Sequence, residues 1–348
     1  METKNHTQHL LGKPIPRMAL DSIRALKGLQ YPSGLFGASK PSVSTGYDKA
    51  WIRDNLYEIL AFEAVTDFET VEKNIRALFS VFLKHESHLD RALAEKPSDK
   101  NSYLHARYCP ITFNKFDEAW GNKQNDAVGF FLFKVGQLQK NGINVVDTAD
   151  KHRIVQKLAN YLIAIEYWHD KDNGVWEENE EIHASSVGAC VAGLKAVQNL
   201  VFVPQWAIDK GKDTLDLLLP GESVSKQVDL ALLSLIYPLE VVSESQRKAI
   251  LENVENHLVR SKGLIRYRND RYYNRNGEAE WCFGFPWLAI IYKKLGNEQK
   301  YQYYLKKTRD AFNQKGELPE LYYADSNEHN ENSPLGWAQS LYVVAVVS

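Results

Sequence analysis

Apolar side chains recur at steps of three and four residues along most of the chain. Between residues 150 and 169 the series is Ile154, Leu158, Tyr161, Leu162, Ile165 and Trp168, and between 297 and 315 it is Tyr301, Tyr304, Leu305, Thr308, Ala311 and Phe312. This spacing places the apolar residues on one face of an α-helix. The alternation typical of strands does not extend over more than four or five residues. The pattern therefore predicts an all-α protein.

Glycine, proline and asparagine residues interrupt the helical pattern and predict about twelve helical segments. The segments start near residues 16, 50, 70, 125, 152, 183, 204, 225, 245, 280, 298 and 333. This number exceeds what a four-helix bundle uses and suits six helical hairpins closed into a toroid, an (α/α)6 barrel. A helical-repeat solenoid is the alternative, but the sequence has no period of 33 to 45 residues. We expect a single (α/α)6 domain over residues 1–348.

Charge and composition exclude several classes of protein. Lys and Arg number 42 against 44 Asp and Glu, a net charge of −2, which argues against a nucleic-acid binder that works by bulk positive charge. The sequence has no apolar stretch of signal-peptide or membrane-spanning length. Cys109, Cys190 and Cys282 are scattered, and the ten His residues lack metal-ligand spacing. We expect a cytoplasmic protein without metal, nucleic-acid or membrane binding.

Polar and aromatic residues with possible chemistry concentrate in or beside four long connections. These connections cover residues 92–124, 168–183, 260–280 and 314–333. Long connections within a compact domain are usually functional loops. The coincidence favours loops that line a site.

The first group of such residues is Trp51, Arg53 and Asp54, at the start of an apolar helical segment. Arg donates hydrogen bonds in a fixed fork, Asp accepts them from adjacent hydroxyls, and Trp stacks on a sugar face. The group could therefore hold a polyhydroxylated ligand. The alternative is a helix cap by Asp48 followed by a structural ion pair.

The second group follows the turn signal Asp172-Asn173-Gly174, which places Glu177 in a loop. Glu177, Glu178, Glu180 and Glu181 crowd four carboxylates into five positions beside Trp176. Like charges and an aromatic wall both disfavour the ionised form, so a carboxyl here could act as a general acid. The alternative is a solvated acidic loop.

The third group is Pro319-Glu320, between Leu318 and Leu321. Taken alone, a Pro-Glu pair is most often an exposed turn. Glu177 and Glu320 are 143 residues apart, but a toroid whose loops line one end would bring them to the same end, beside the Trp51 group and Trp120. Paired carboxylates are the machinery of glycoside hydrolysis.

Ten segments in matching order resemble glycoside hydrolase family 15, the glucoamylase-like group, and most of all the glucoamylase-like N-terminal domain of the phosphorylase kinase α and β regulatory subunits. The segments are GLFGAS (34–39), AWIRDNLYEIL (50–60), LHARY (104–108), WGNKQNDA (120–127), GVWEE (174–178), HASSVGA (183–189), SKQVDLALLSL (225–235), AEWCFGFPWL (279–288), LPELY (318–322) and GWAQSLY (336–342). The family has an (α/α)6 barrel, as the helical pattern also predicts.

The resemblance implies roles for individual residues. It makes Glu177 the general acid and Glu320 the base that activates water. It makes the substrate-binding residues Trp51, Arg53, Asp54, Trp120, Glu178 and Arg266, with Asp126 supporting them through hydrogen bonds.

We therefore expect an inverting, exo-acting α-glucoside hydrolase that requires no cofactor. Its substrate would be a short α-glucan oligosaccharide or a glucose-containing disaccharide. The alternative is a non-catalytic glucan-sensing or protein-interaction module, with a protein partner, as in the regulatory subunits.

Overall fold

The computed structural model describes residues 9–10, 13–99, 101–118 and 120–347, and helices dominate it. The α-helices within these residues are α1 (Arg17–Leu29), α2 (Ile52–Ala64), α3 (Phe68–Lys84), α4 (Glu86–Ala94), α5 (Asn125–Lys140), α6 (Ala149–Ala164), α7 (Ala184–Val197), α8 (Gln205–Leu218), α9 (Glu244–His257), α10 (Gly284–Lys294), α11 (Glu298–Asp310) and α12 (Gly336–Val347). The all-α class predicted from the periodicity is confirmed.

One predicted segment differs from the structure, and one helix was not predicted. The segment expected near residue 225 is a short 3-10 helix, Leu230–Leu235, capped by the Asp229 carboxylate. It cannot continue far, because Pro238 disfavours a helical conformation at the residue before it. Helix α4 was not predicted, since the single residue His85 separates it from α3 and the two patterns merge.

The strands are two residues long. They are β1 (His9–Leu10), β2 (Lys13–Pro14), β3 (Ala50–Trp51), β4 (Arg107–Tyr108), β5 (Glu280–Trp281) and β6 (Leu321–Tyr322). β1 pairs with β2 and β5 pairs with β6, both antiparallel. In the second pair Glu280 lies opposite Tyr322 and Trp281 opposite Leu321. The β5–β6 pair fixes the backbone beside Glu320, whose carbonyl accepts a 3.0 Å hydrogen bond from the Cys282 amide.

Contacts divide the chain into two compact units. Unit 1 comprises residues 1–50, 57–74 and 259–348. Its core is aromatic: the Trp337 ring stacks on Phe283 at 4.6 Å and on Tyr57 at 4.1 Å. Helix α12 packs against α1 and α10 around these rings. The N-terminal end of α12 therefore emerges beside the loop that carries Glu320.

Unit 2 comprises residues 51–56 and 75–258, and helices α5 and α7 form its centre. The two helices approach closely because glycines face each other. A Cβ atom on Gly193 would lie 2.2 Å from the Gly129 carbonyl oxygen, and one on Gly129 would lie 2.5 Å from the Ala189 carbonyl carbon. Side chains larger than hydrogen would force the helices apart. The loop that carries Glu177 leads into α7. The single-domain organisation over residues 1–348 stays a prediction.

Candidate active site

Glu177 lies in a tight turn that the Asp172-Asn173-Gly174 signal predicts. The Glu177 amide donates to the Gly174 carbonyl and the Glu178 amide to the Asn173 carbonyl, at 3.3 and 3.0 Å. Glu177 itself has a φ of 63°, a left-handed conformation that is uncommon for a residue with a side chain. Such conformations cost about 1–3 kcal/mol and persist where surrounding contacts fix them. The turn aims this carboxyl at a group of aromatic and charged side chains in unit 2.

The carboxyl of Glu177 accepts a hydrogen bond on each oxygen. The indole Nε1 of Trp51 lies 2.7 Å from Oε1, and that of Trp120 lies 2.7 Å from Oε2. The Nη2 atom of Arg53 is 3.5 Å from Oε1. Burial raises the pKa of Glu177 to about 7; Arg53 and the two indoles oppose this rise, and the charge of Asp54 adds to it. The group therefore retains its proton up to near-neutral pH.

The neighbouring glutamates were predicted to raise the pKa of Glu177, but the structure shows a different source of like charge. Each neighbour turns to a partner of its own. Glu178 pairs with Lys226 at 2.8 Å, Glu181 accepts from the Ser225 hydroxyl at 2.5 Å, and Glu180 is half-exposed. The like charge comes from Asp54, which raises the pKa of Glu177 by electrostatic repulsion of its ionised form.

Arg53 joins the acid to a second carboxylate. Its Nη1 atom donates to Gln124 Oε1 at 2.8 Å and to Asp126 Oδ2 at 2.9 Å. Arg53 and Asp126 are both buried. The supporting role expected for Asp126 agrees with this contact. Helix α2 begins at Ile52, so the alternative of a cap by Asp48 does not hold.

Arg107 is a member of this cluster that the sequence did not single out. Its guanidinium carbon lies 4.2 Å from the Trp120 ring centroid and 5.1 Å from that of Trp51. A cation over an indole face attracts it by about 0.5–2 kcal/mol. Glu118 accepts a 2.5 Å hydrogen bond from Arg107 Nη2. Arg107 therefore holds both indoles that donate to Glu177. The sequence signal that could have identified Arg107 was the polar residue at every second position after Leu104, at His105 and Arg107.

The residues on either side of Glu177 are fixed by one downstream loop. Trp176 Nε1 donates to Asp229 Oδ1 at 2.8 Å, and Lys226 binds Glu178. Glu178, expected to contact substrate, is thus engaged in an ion pair that keeps the turn in place.

Glu320 lies in unit 1, directly before β6, and only 1% of its surface is exposed. The reading of Pro319-Glu320 as an exposed turn is therefore excluded. The Tyr47 hydroxyl donates to Oε1 at 2.7 Å, and Asn332 Nδ2 donates to Oε2 at 2.7 Å. Asn330 Nδ2 donates to the same oxygen. Three donors converge on a group that, when ionised, can only accept.

The pKa of Glu320 is raised above its ordinary value, because burial outweighs the influences that oppose it. Burial raises its pKa, whereas the hydrogen bonds from Asn332, Tyr47 and Asn330 and the charge of Arg266 lower it. The Thr45 hydroxyl donates to Asn332 Oδ1 at 2.5 Å and so turns the amide nitrogen toward Glu320. The asparagines were not predicted, since nothing in their local pattern distinguishes them from other loop amides.

Arg266 is also in unit 1 and is buried. Its Nε and Nη2 atoms each bond Asp270 at 2.6 Å, and its guanidinium lies 4.9 Å from the Tyr272 ring and 5.0 Å from the Trp281 ring. The structure thus gathers Trp51, Arg53, Asp54 and Trp120 around Glu177, and it places Arg266 near Glu320 in the other unit.

Comparison with known proteins identifies the family. The sequence model described as Glycosyl hydrolases family 15 matches residues 16–347. The chain belongs to this family. The resemblance inferred from the ten segments is confirmed.

Curated relatives of this family 15 chain are regulatory proteins by name. The skeletal-muscle isoform of the phosphorylase b kinase regulatory subunit alpha from Oryctolagus cuniculus is 27% identical over 86% of this chain. A probable phosphorylase b kinase regulatory subunit alpha from Drosophila melanogaster is 26% identical over 75%. The chain spans only 30% and 25% of the length of these two proteins.

Solved structures show the fold of this family 15 chain. A wild-type glycosidase superposes with a TM-score of 0.82 at 20% identity, covering 99% of this chain and 98% of its own. A variant glycosidase in complex with glucose gives 0.81 at 19% identity over the same shares. A bacterial glucoamylase complexed with acarbose gives 0.72 at 17% identity, covering 95% of this chain and 55% of its own. The predicted glucoamylase-like (α/α)6 fold is confirmed. No helix in the described part of the chain is long and apolar enough to cross a bilayer.

Proposed function

We propose that this family 15 chain is an inverting α-glucoside hydrolase that releases glucose from the non-reducing end of a short α-glucan or a related disaccharide. The observation that carries the proposal is the difference between two carboxyls, the partly exposed Glu177 and the buried Glu320. Glu177 has a pKa of about 7 and therefore keeps its proton at pH values below this. Glu320 accepts three hydrogen bonds. Burial raises the pKa of both groups, but at Glu320 three hydrogen bonds and the charge of Arg266 oppose the rise and stabilise the ionised form. Acid–base glycoside hydrolysis requires one carboxyl that holds a proton and a second that is ionised.

Glu177 acts as the general acid. It donates its proton to the glycosidic oxygen as the C–O bond breaks, so that the leaving sugar departs as a neutral alcohol. The indoles of Trp51 and Trp120 and the guanidinium of Arg53 then stabilise the carboxylate that forms. Because these donors are already in place, the charge develops in a preorganised environment.

Glu320 acts as the general base. It removes a proton from a water molecule as the water oxygen bonds to the anomeric carbon, on the face opposite the leaving group. Attack on that face inverts the α-linkage and gives β-glucose. The amides of Asn330 and Asn332 hold the carboxylate still, which fixes the direction in which it accepts the proton.

Two solved structures that are similar in fold support the choice of sugar class: a glycosidase in complex with glucose and a bacterial glucoamylase complexed with acarbose. In this chain Asp54 offers an acceptor for sugar hydroxyls, and Trp51 and Trp120 offer aromatic surface. Hexose hydroxyls and apolar ring faces match this combination.

A turnover assay tests the proposal. Purified protein is incubated with maltose, isomaltose, trehalose and short glycogen fragments, and released glucose is measured with its anomeric form. We expect β-glucose from at least one substrate, and no release by the protein with both Glu177→Gln and Glu320→Gln. Binding of these sugars without any release would contradict the hydrolase proposal.

A regulatory function is the second candidate, because the curated relatives are regulatory subunits by name. In that case the same side chains would bind α-glucan without cleaving it. Calorimetry with a non-hydrolysed thio-linked maltoside would then report binding in a protein that fails the turnover assay.

We predict that Arg107→Leu alters the acid rather than only the fold. Loss of the cation frees the Trp51 and Trp120 rings, so Glu177 loses donors that lower its pKa. We expect kcat to fall about tenfold, the effect of roughly 1.4 kcal/mol, and the basic limb of the pH profile to move to higher pH. Arg107→Lys keeps a cation over the rings and should retain the wild-type limb. An unmoved limb in Arg107→Leu would show that Arg107 has no role in positioning.

A further inference from the structure

Unit 1 contains a cavity of about 780 Å³ that does not include Glu320 or its amide donors. Its walls come from the residues that follow α11, from the end of β6 and the loop after it, and from Lys262 and Arg275. The side chains that matter are Lys262, Arg275, Lys315, Tyr322, Tyr323 and His329. Ligand cavities of proteins are commonly about 300–1,000 Å³, so the volume suits a small molecule the size of a substituted sugar.

Positive charge dominates this cavity. Lys262, Arg275 and Lys315 line it, against the single carboxylate of Glu328. Within the residues that the structure describes, none of the three cations forms an ion pair with a carboxylate. Lys262 Nζ donates to the Asp310 carbonyl oxygen at 3.5 Å. The chain as a whole carries a net charge of −2, so this concentration of cations is local.

Two of the cations are held in position by tyrosine rings. The Arg275 guanidinium carbon lies 4.0 Å from the Tyr323 ring centroid, and Lys262 Nζ lies 5.5 Å from that of Tyr322. A cation stacked in this way keeps its N–H groups available at its edge. The arrangement therefore presents donors around a shared space.

The remaining lining is suited to hydroxyl groups. Gln314 and Asn327 contribute side-chain amides, which both donate and accept, and Tyr323 and Phe312 contribute ring surface. An inorganic anion alone would not use these groups. A sugar ring that carries an anion would use both the amides and the cations.

We propose that this cavity binds a phosphate monoester of a hexose. The phosphate would lie among Lys262, Arg275 and Lys315, since a dianion matches a cluster of unpaired cations. The hexose would lie against Tyr323 and the amides. The source of the ester is either a free sugar phosphate or a phosphorylated glucan, and both present the same chemistry. Its lining does not include Glu177 or Glu320, and the proposal does not require the chain to be a hydrolase.

Calorimetry at low ionic strength tests the site, with glucose 6-phosphate, glucose 1-phosphate, inorganic phosphate, glucose and a phosphorylated maltodextrin as probes. We expect saturable binding of at least one hexose phosphate, with glucose alone at least tenfold weaker. Arg275→Glu and Lys315→Glu should each weaken binding of the phosphate ester about tenfold or more, because each replaces an attraction by a repulsion. Both residues are exposed, and Arg275→Gln and Lys315→Gln provide milder variants should a reversal unfold the chain. Lys195→Glu, an exposed lysine in unit 2, is the matched control and should bind as the wild type does.

The probes also distinguish the two sources of the ester. Tighter binding of the phosphorylated maltodextrin would assign the site to phosphorylated glucan, and tighter binding of a free hexose phosphate would assign it to the small molecule. Equal binding of glucose and glucose 6-phosphate would overturn the proposal. So would hexose phosphate affinity that is the same in Arg275→Glu, Lys315→Glu and Lys195→Glu. Because binding is measured without turnover, a failed hydrolase assay leaves this result interpretable.

Discussion

Glu320→Ala is expected to lower turnover of an α-glucoside by about 10²–10⁴-fold, the usual contribution of a positioned general base. The substitution removes the group that deprotonates water and leaves a small space in its place. Azide needs no deprotonation and can attack from that space. We therefore expect added azide to restore turnover and to give a β-glucosyl azide, identified by the coupling constant of its anomeric proton.

Two further variants make the result for Glu320 specific. Glu317→Ala alters a nearby carboxylate that binds Lys40 and Ser333, so it controls for loss of a loop charge and should show no azide product. Tyr47→Phe removes one donor to Glu320 and should give a partial loss. If Glu320→Ala retained wild-type turnover, Glu320 would not be the base.

Glu177→Ala is expected to fail for a different reason, because its defect lies in protonation of the leaving group. Turnover of an unactivated disaccharide should fall about 10²–10⁴-fold. α-Glucosyl fluoride should remain a good substrate, since fluoride departs with less help. In the wild-type protein kcat/KM should decline as pH rises through about 7, where Glu177 loses its proton, and this limb should be absent from Glu177→Ala acting on the fluoride.

The stereochemistry of rescue distinguishes the mechanisms. An α-configured azide product from Glu177→Ala would mean that the reaction retains configuration and that the roles assigned here are wrong. Glu180→Gln alters a half-exposed carboxylate three residues away in the same loop and should keep the pH limb of the wild type.

The features that the sequence predicted are those with local signals. Asp172-Asn173-Gly174 has the side chains that a tight turn needs, so the placement of Glu177 in a loop could be predicted without knowledge of the fold. The helical spacing of apolar residues likewise predicted α6 and α11. The candidate acid and base came from short segments that resemble family 15, read at their own positions.

The features that escaped prediction depend on contacts between distant residues. Arg53 binds Asp126, 73 residues away. Arg107 contacts the rings of Trp51 and Trp120 because the fold places β4, which contains Arg107, beside them. Carboxylates that are adjacent in sequence point to separate partners once backbone direction is fixed. No pattern in one sequence records those directions.

The raised pKa of Glu177 also affects the free energy of folding. Its pKa in the folded protein is about 7, against an ordinary value of 4.5, so folding takes up a proton between these pH values. Below pH 4.5 Glu177 is protonated in both states and has no net effect on stability. Above pH 4.5 the unfolded chain is increasingly favoured, and beyond pH 7 the difference approaches about 3 kcal/mol. Such a sum is a sizeable part of the 5–15 kcal/mol that holds a typical domain folded. The raised pKa that lets Glu177 act as an acid near pH 7 therefore lowers the stability of the folded protein at alkaline pH. Other interactions in the fold must offset this loss.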